Sequence, residues 1–185
     1  MMRVFLILLA ILISVFLFLQ LENKKTADRL PAFLLNDTIA ENHHTNIEIK
    51  VNSVHKPSAF ELDKIKKDYS NLWAHLNHLY STNEVEAGKE YFTEELYKTL
   101  CGNYENKMET VISRIDSDHQ LHISNWSSDG LICTVIDSNI VLTYKYPDNT
   151  SRTTTADIAL VLLYQGDHWR LDAMRILNEN ETLIN

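Results

Sequence analysis

Apolar residues run without a break through residues 4–19, apart from Ser14, and Leu21 extends the run. Eighteen residues at 1.5 Å each reach about 27 Å, close to the roughly 30 Å of a bilayer core. The run ends Leu17-Phe18-Leu19-Gln20-Leu21, bulky where a signal peptidase requires small residues. Residues 1–21 therefore read as an uncleaved transmembrane anchor rather than a signal peptide. Arg3 lies on one side and Lys24 and Lys25, offset by Glu22, on the other, so the positive-inside rule barely decides orientation. A short N-terminal tail retained in the cytoplasm would place the rest outside, as a periplasmic domain.

The pattern changes at residue 22. Residues 22–57 are polar and read as a linker, within which 46–51 alternates like a short strand. Its His43-His44 pair reads as solvated loop rather than metal site. Pro57 then precedes Ser58-Ala59-Phe60-Glu61, a capping box that opens a helix. Leu62, Ile65, Tyr69, Leu72, Trp73, Leu76, Leu79 and Tyr80 follow at spacings of three and four, one apolar face over five turns. Val85, Gly88, Phe92, Leu96, Thr99 and Leu100 form a second stripe, with Gly102 placed as its C-cap. Tyr104, Met108, Val111, Ile112 and Ile115 mark a third.

From residue 119 the period becomes two. Four runs, 119–126, 131–146, 152–165 and 168–177, are separated by Asp129-Gly130, Pro147-Asp148-Asn149 and Gly166-Asp167, all hairpin chemistry. They predict an antiparallel meander, bent, with one apolar face against the helices. The even positions of the long run (Ile132, Thr134, Ile136, Ile140, Leu142, Tyr144) and of the third (Thr154, Ala156, Ile158, Leu160, Leu162, Tyr164) make up that face. The expected architecture is α+β: a transmembrane helix, a linker, three helices on a four-stranded antiparallel sheet over 58–177, and a tail at 178–185.

The chain has 185 residues and a formal net charge of −8, with no clustered positive face, which argues against nucleic acid. Cys101 and Cys133 show no metal-ligand spacing; they read as two free thiols, with a disulfide left open. No cofactor or metal motif is visible.

Three helices followed by a strongly bent meander, with Ser128-Asp129-Gly130 before the long strand and the Trp169-Arg170-Leu171 ending, resemble the nuclear transport factor 2-like superfamily of cone-shaped domains. With the anchor and linker, the chain looks most like its membrane-anchored branch, which includes the bitopic assembly-factor subunits of type IV secretion and conjugation machines. That resemblance implies a protein-interaction module rather than a catalyst.

The parities bear on the same choice. Enzymes of that superfamily need a carboxylate or histidine inside the cone to move a proton. The face read as interior carries no Asp or Glu, and His122 is its one histidine candidate; His119, three residues away, must point to the opposite face. The primary expectation is thus a non-enzymatic subunit of an envelope complex, joined to other subunits or to copies of itself. Its outward Asp137, Asn139, Lys145, Asp157, Arg170 and Asp172 would form the partner surface. The alternative is a membrane-tethered small-ligand-binding or isomerase-type protein, with a pocket of Tyr144, Tyr164, His122 and Trp73.

Overall fold

The computed structural model describes residues 38–104 and 112–182. The apolar run read as an anchor lies outside them; among the described residues no helix is long and apolar enough to cross a membrane. The expected capping box is present: Ser58 accepts from the Glu61 N–H while the Glu61 carboxylate accepts from the Ser58 N–H. It opens helix α1, Ala59–Thr82, whose left-handed C-cap is Asn83 at φ 60°. The stripe is buried as its spacing requires, with Ile65, Tyr69, Leu72 and Trp73 each 1% exposed or less.

The second stripe is not one helix. Val85–Tyr91 is 3-10 helical, the chain extends at Phe92 and Thr93, and helix α2 begins at Glu94 and runs to Tyr104. Phe92 bridges Leu171 of the last strand, and the Thr93 N–H donates to the Leu171 carbonyl at 2.9 Å. An edge-strand contact thus competes with helix continuation and wins, because Phe92 is 1% exposed there. Gly102 lies inside α2, not at its cap. Residues 105–111, with Met108 and Val111 of the expected third helix, lie outside the described residues. Ile115 belongs instead to a strand.

The sheet has six strands rather than four: β1 (Ile47–Val51), β2 (Ser113–Ser117), β3 (His119–Trp126), β4 (Ile132–Lys145), β5 (Ser151–Gln165) and β6 (His168–Thr182). β3 to β6 form the expected antiparallel meander, and β6 runs on past residue 177. β1, in the segment read as linker, pairs parallel with β3. β2 and β3 flank the same side of β4 in succession, with Asp118 at φ 48° between them. α1 packs against β1, β2 and β6, so the sheet curls round the helix from both ends.

β4 holds the main departure from the expected faces. Asn139, at φ 56°, sits in a bulge between Asp137 and Ile140, and the Asp157 carboxylate accepts its backbone N–H at 2.9 Å. One extra residue reverses the alternation. Before it, Cys133, Val135 and Asp137 face inward; after it, Ile140 and Leu142 do. On β4 the even-position face is therefore correct only beyond the bulge, with Ile132 42% exposed, whereas on β5 the even positions from Thr154 to Leu162 are buried as expected.

Candidate functional site: a charged and aromatic tract inside the sheet

Four elements meet over the inner face of the sheet. α1 contributes Tyr69, Trp73 and Asn77, four residues apart and so stacked along one face. β2 contributes Arg114 and Asp116, β3 begins with His119, and β4 carries Asp137. None of the four side chains from the sheet was expected there. Parity assigns Asp137 outward, Arg114 falls within the stripe read as a third helix and Asp116 just beyond it, and His122 is the interior candidate rather than His119. Asp137 is in fact 0% exposed and His119 1%, whereas His122 stands on the opposite face. The interior therefore does contain carboxylates, contrary to expectation.

Their groups form one hydrogen-bonded chain. Asp137 Oδ2 accepts from the Tyr69 hydroxyl at 2.8 Å and from His119 Nδ1 at 2.5 Å, while its Oδ1 accepts from the Gln120 N–H at 3.0 Å. His119 Nε2 donates to Asp116 Oδ2 at 2.8 Å. Asp116 Oδ1 also accepts from His43 Nε2 at 2.9 Å and from the Asn77 amide. Asn77 Oδ1 in turn accepts from Arg114 Nε at 2.8 Å. Burial alone would depress the His119 pKa, but bonds to two carboxylates outweigh it and hold the ring at about 9. Burial would raise Asp116, yet His119 and His43 bring it well below the usual carboxylate range. Tyr69 is pushed well up, by burial first and then by the Asp137 charge. Buried ions persist only when paired and fully hydrogen-bonded, and these carboxylates have three donors each.

This arrangement is chemically passive at its centre. An imidazolium gripped at both nitrogens has no lone pair to take a proton and no unengaged N–H to give one. What the network does is fix the aromatic wall in front of it. The Trp73 ring lies 5.1 Å from His119, and on the same ring the Arg114 guanidinium stands at 5.3 Å. Arg114 also lies 4.8 Å from the Tyr80 ring, which packs edge-on against Tyr144 at 5.5 Å. Among the described residues no group of three or more His, Cys, Asp or Glu side chains is arranged to hold a metal ion.

The expected pocket residues are therefore divided. Trp73 and Tyr144 meet through Arg114. Tyr164 stacks on Trp169 at 5.4 Å elsewhere in the core, lining a cavity of about 400 Å³ with Phe60, Lys64 and Leu131. Of the expected partner surface, Asn139 and Lys145 are exposed. Asp157, Arg170 and Asp172 are half-buried, and Asp172 accepts from the Thr93 hydroxyl at 3.0 Å. Both thiols are free, and burial pushes Cys133 up to about 12.

No family model and no curated protein matches the chain. Among solved structures it is similar to one from Novosphingobium aromaticivorans provisionally named a scytalone dehydratase. The identity is 9% and the TM-score 0.45, over 69% of this chain and 94% of that one. It is also similar to one provisionally named an aromatic ring hydroxylase from the same organism, at 11% identity and a TM-score of 0.44, over 70% of this chain and 97% of that one. Likenesses at this level transfer no activity.

Proposed function

We propose that this chain is a small-ligand-binding protein that uses the inner face of its bent sheet, tethered to a membrane through residues 4–21. The observation that carries the reading is the tract Trp73–Arg114–Tyr80–Tyr144. A charged side chain set among aromatic rings on an inner face is what a ligand site needs, and a plain packed core does not. Binding is favoured over proton-transfer catalysis because His119, Asp137 and Tyr69 occupy one another and are closed to solvent. The test is tryptophan fluorescence and thermal shift of the detergent-solubilised full chain, against a panel of small aromatic and alicyclic compounds. Saturable binding that Trp73→Phe shifts and Tyr144→Ala weakens is expected; no saturable ligand across the panel would defeat the proposal. Membrane fractionation with alkaline extraction tests the tether, which predicts retention in the pellet.

A second reading, the interaction subunit, is favoured by one feature at a different place. Phe60 is 77% exposed and Leu131 47%, both on the rim of the 400 Å³ cavity, and Val54, at 94%, borders an adjoining one. Affinity purification from solubilised membranes, comparing wild type with Phe60→Asp, tests it. A co-purifying protein lost in the variant is the outcome that reading requires.

A further inference from the structure

We propose that Arg114 anchors the carboxylate of a small aromatic or alicyclic acid, with the ring of that acid packed against Tyr80 and Tyr144. The inference rests on the ligand-binding reading above and names the ligand class.

A guanidinium has five N–H donors in a rigid fork. Arg114 commits Nε to a neutral amide oxygen, that of Asn77. Among the described residues no carboxylate comes within 4.0 Å of it. Two acids on this face are engaged elsewhere, and a third, Glu179 opposite Ala156, comes no closer to the guanidinium than 4.0 Å. Asp116, on the same strand and face, is held by His119, His43 and the Asn77 amide. Asn77 stands between it and the arginine, donating to one and accepting from the other. Glu181, further along the inner face, pairs with Arg152 at 2.5 Å. Arg114 is thus oriented through Nε and set against Trp73 and Tyr80, and among the described residues its terminal nitrogens meet no carboxylate. Such a fork matches a carboxylate edge-on, in two parallel bonds.

Two further observations point the same way. Thr154 is 0% exposed, and its hydroxyl meets the Tyr144 phenol without a well-aligned hydrogen bond. It shares the inner face with Leu142, its cross-strand partner. A ligand acid would offer the Thr154–Tyr144 pair a second acceptor. Burial also lowers the Arg114 pKa, so the cation sits where an ion pair is stronger than in water. A single carboxylate suits this site better than a phosphate dianion. Among the described residues of this face Arg114 is the cation without an acid partner, His119 and Arg152 being paired, and the chain carries −8 overall.

The experiment uses the full chain in detergent, with benzoate and the uncharged benzyl alcohol as probes. Benzoate should bind about tenfold or more tightly than benzyl alcohol and should move the Arg114 Nε–H resonance in a nitrogen–proton NMR spectrum. Arg114→Gln, which keeps an amide in place of the fork, should erase the preference; Arg114→Lys should retain part of it. Equal binding of the two probes by the wild type would overturn the carboxylate inference and leave the ligand reading standing. Benzoate preferred equally by wild type and Arg114→Gln would place the anion elsewhere. Neither probe binding would defeat this inference alone, provided another compound of the panel saturates the chain; with none, both fall. If Arg114→Gln fails to fold, the wild-type resonance decides: an unmoved Nε–H under saturating benzoate overturns the proposal.

Discussion

The two halves of β4, on either side of Asn139, solve opposite problems with the same strand. The first half lies beside β3 and carries Cys133, Val135 and Asp137 inward, into a region where each polar atom of the buried Asp137 carboxylate has a partner. The second half lies beside β2 and carries Ile140, Leu142 and Tyr144 inward, toward an arginine with no carboxylate partner among the described residues and a threonine hydroxyl whose neighbour is the Tyr144 phenol. Closed polar networks stabilise and orient; incompletely satisfied ones mark places where a fold holds back capacity for something else. The contrast separates the part of the interior that builds the protein from the part that can bind.

The sharpest way to break that contrast is at the closed end. Asp137→Ala would leave an imidazolium and a phenol buried without their acceptor. A loss of about 3–5 kcal/mol is expected in urea unfolding of the solubilised chain; a loss below about 1 kcal/mol would mean the network is not holding the core. Next in size is the effect of pH. Because the folded His119 pKa is raised to about 9 from 6.5, its contribution is fully present below 6.5 and is lost as pH rises through 9. That corresponds to roughly 3 kcal/mol across the interval, and His119→Gln should flatten the profile there. Asp116, with its pKa depressed, contributes above its ordinary 3.8 and loses that contribution as pH falls through its lower folded value. Stability from the pair is therefore greatest between about pH 4 and 6.5.

Asn139→Ala probes the junction itself. A Cβ-bearing residue without a side-chain amide at φ 56° should cost about 1–2 kcal/mol, and Asn139→Gly much less. If both cost the same, the left-handed backbone is not what the asparagine supports. The smallest effect belongs to the open end: Arg114→Gln should alter stability by under about 1 kcal/mol, mostly through its contacts with Trp73 and Tyr80. A larger loss would mean that the bond from Arg114 to Asn77 is part of what holds the closed network.

How much of this was readable in the residues varies with the range of the interaction. α1 was legible because its cap and its stripe are local: Ser58 and Glu61 answer one another, and eight apolar residues repeat at helical spacing. The hairpin turns were legible for the same reason. The second helix was misread because its periodicity is real, while the Thr93–Leu171 hydrogen bond that interrupts it joins residues far apart in the chain. Arg114 and Asp116 stayed hidden because Ile112 and Ile115 fit a helical stripe as well as they fit a strand. His119 and Asp137 stayed hidden behind a single bulge. Asn139, a left-handed-tolerant residue in the middle of a long apolar run, was the signal that could have revealed it. Reading each half of β4 with its own parity brings Asp137 inward.

The parallel pairing of β1 with β3, together with the grip of His43 on Asp116, sets where an independently folding fragment can begin. A chain started at Ser58 would contain α1, α2 and the whole antiparallel meander, yet it would bare the backbone edge of β3. It would also remove one donor, His43, from the buried Asp116 carboxylate. A fragment begun at Thr38 keeps both. Residues 43–51 are therefore part of the folded unit and not merely a lead into α1.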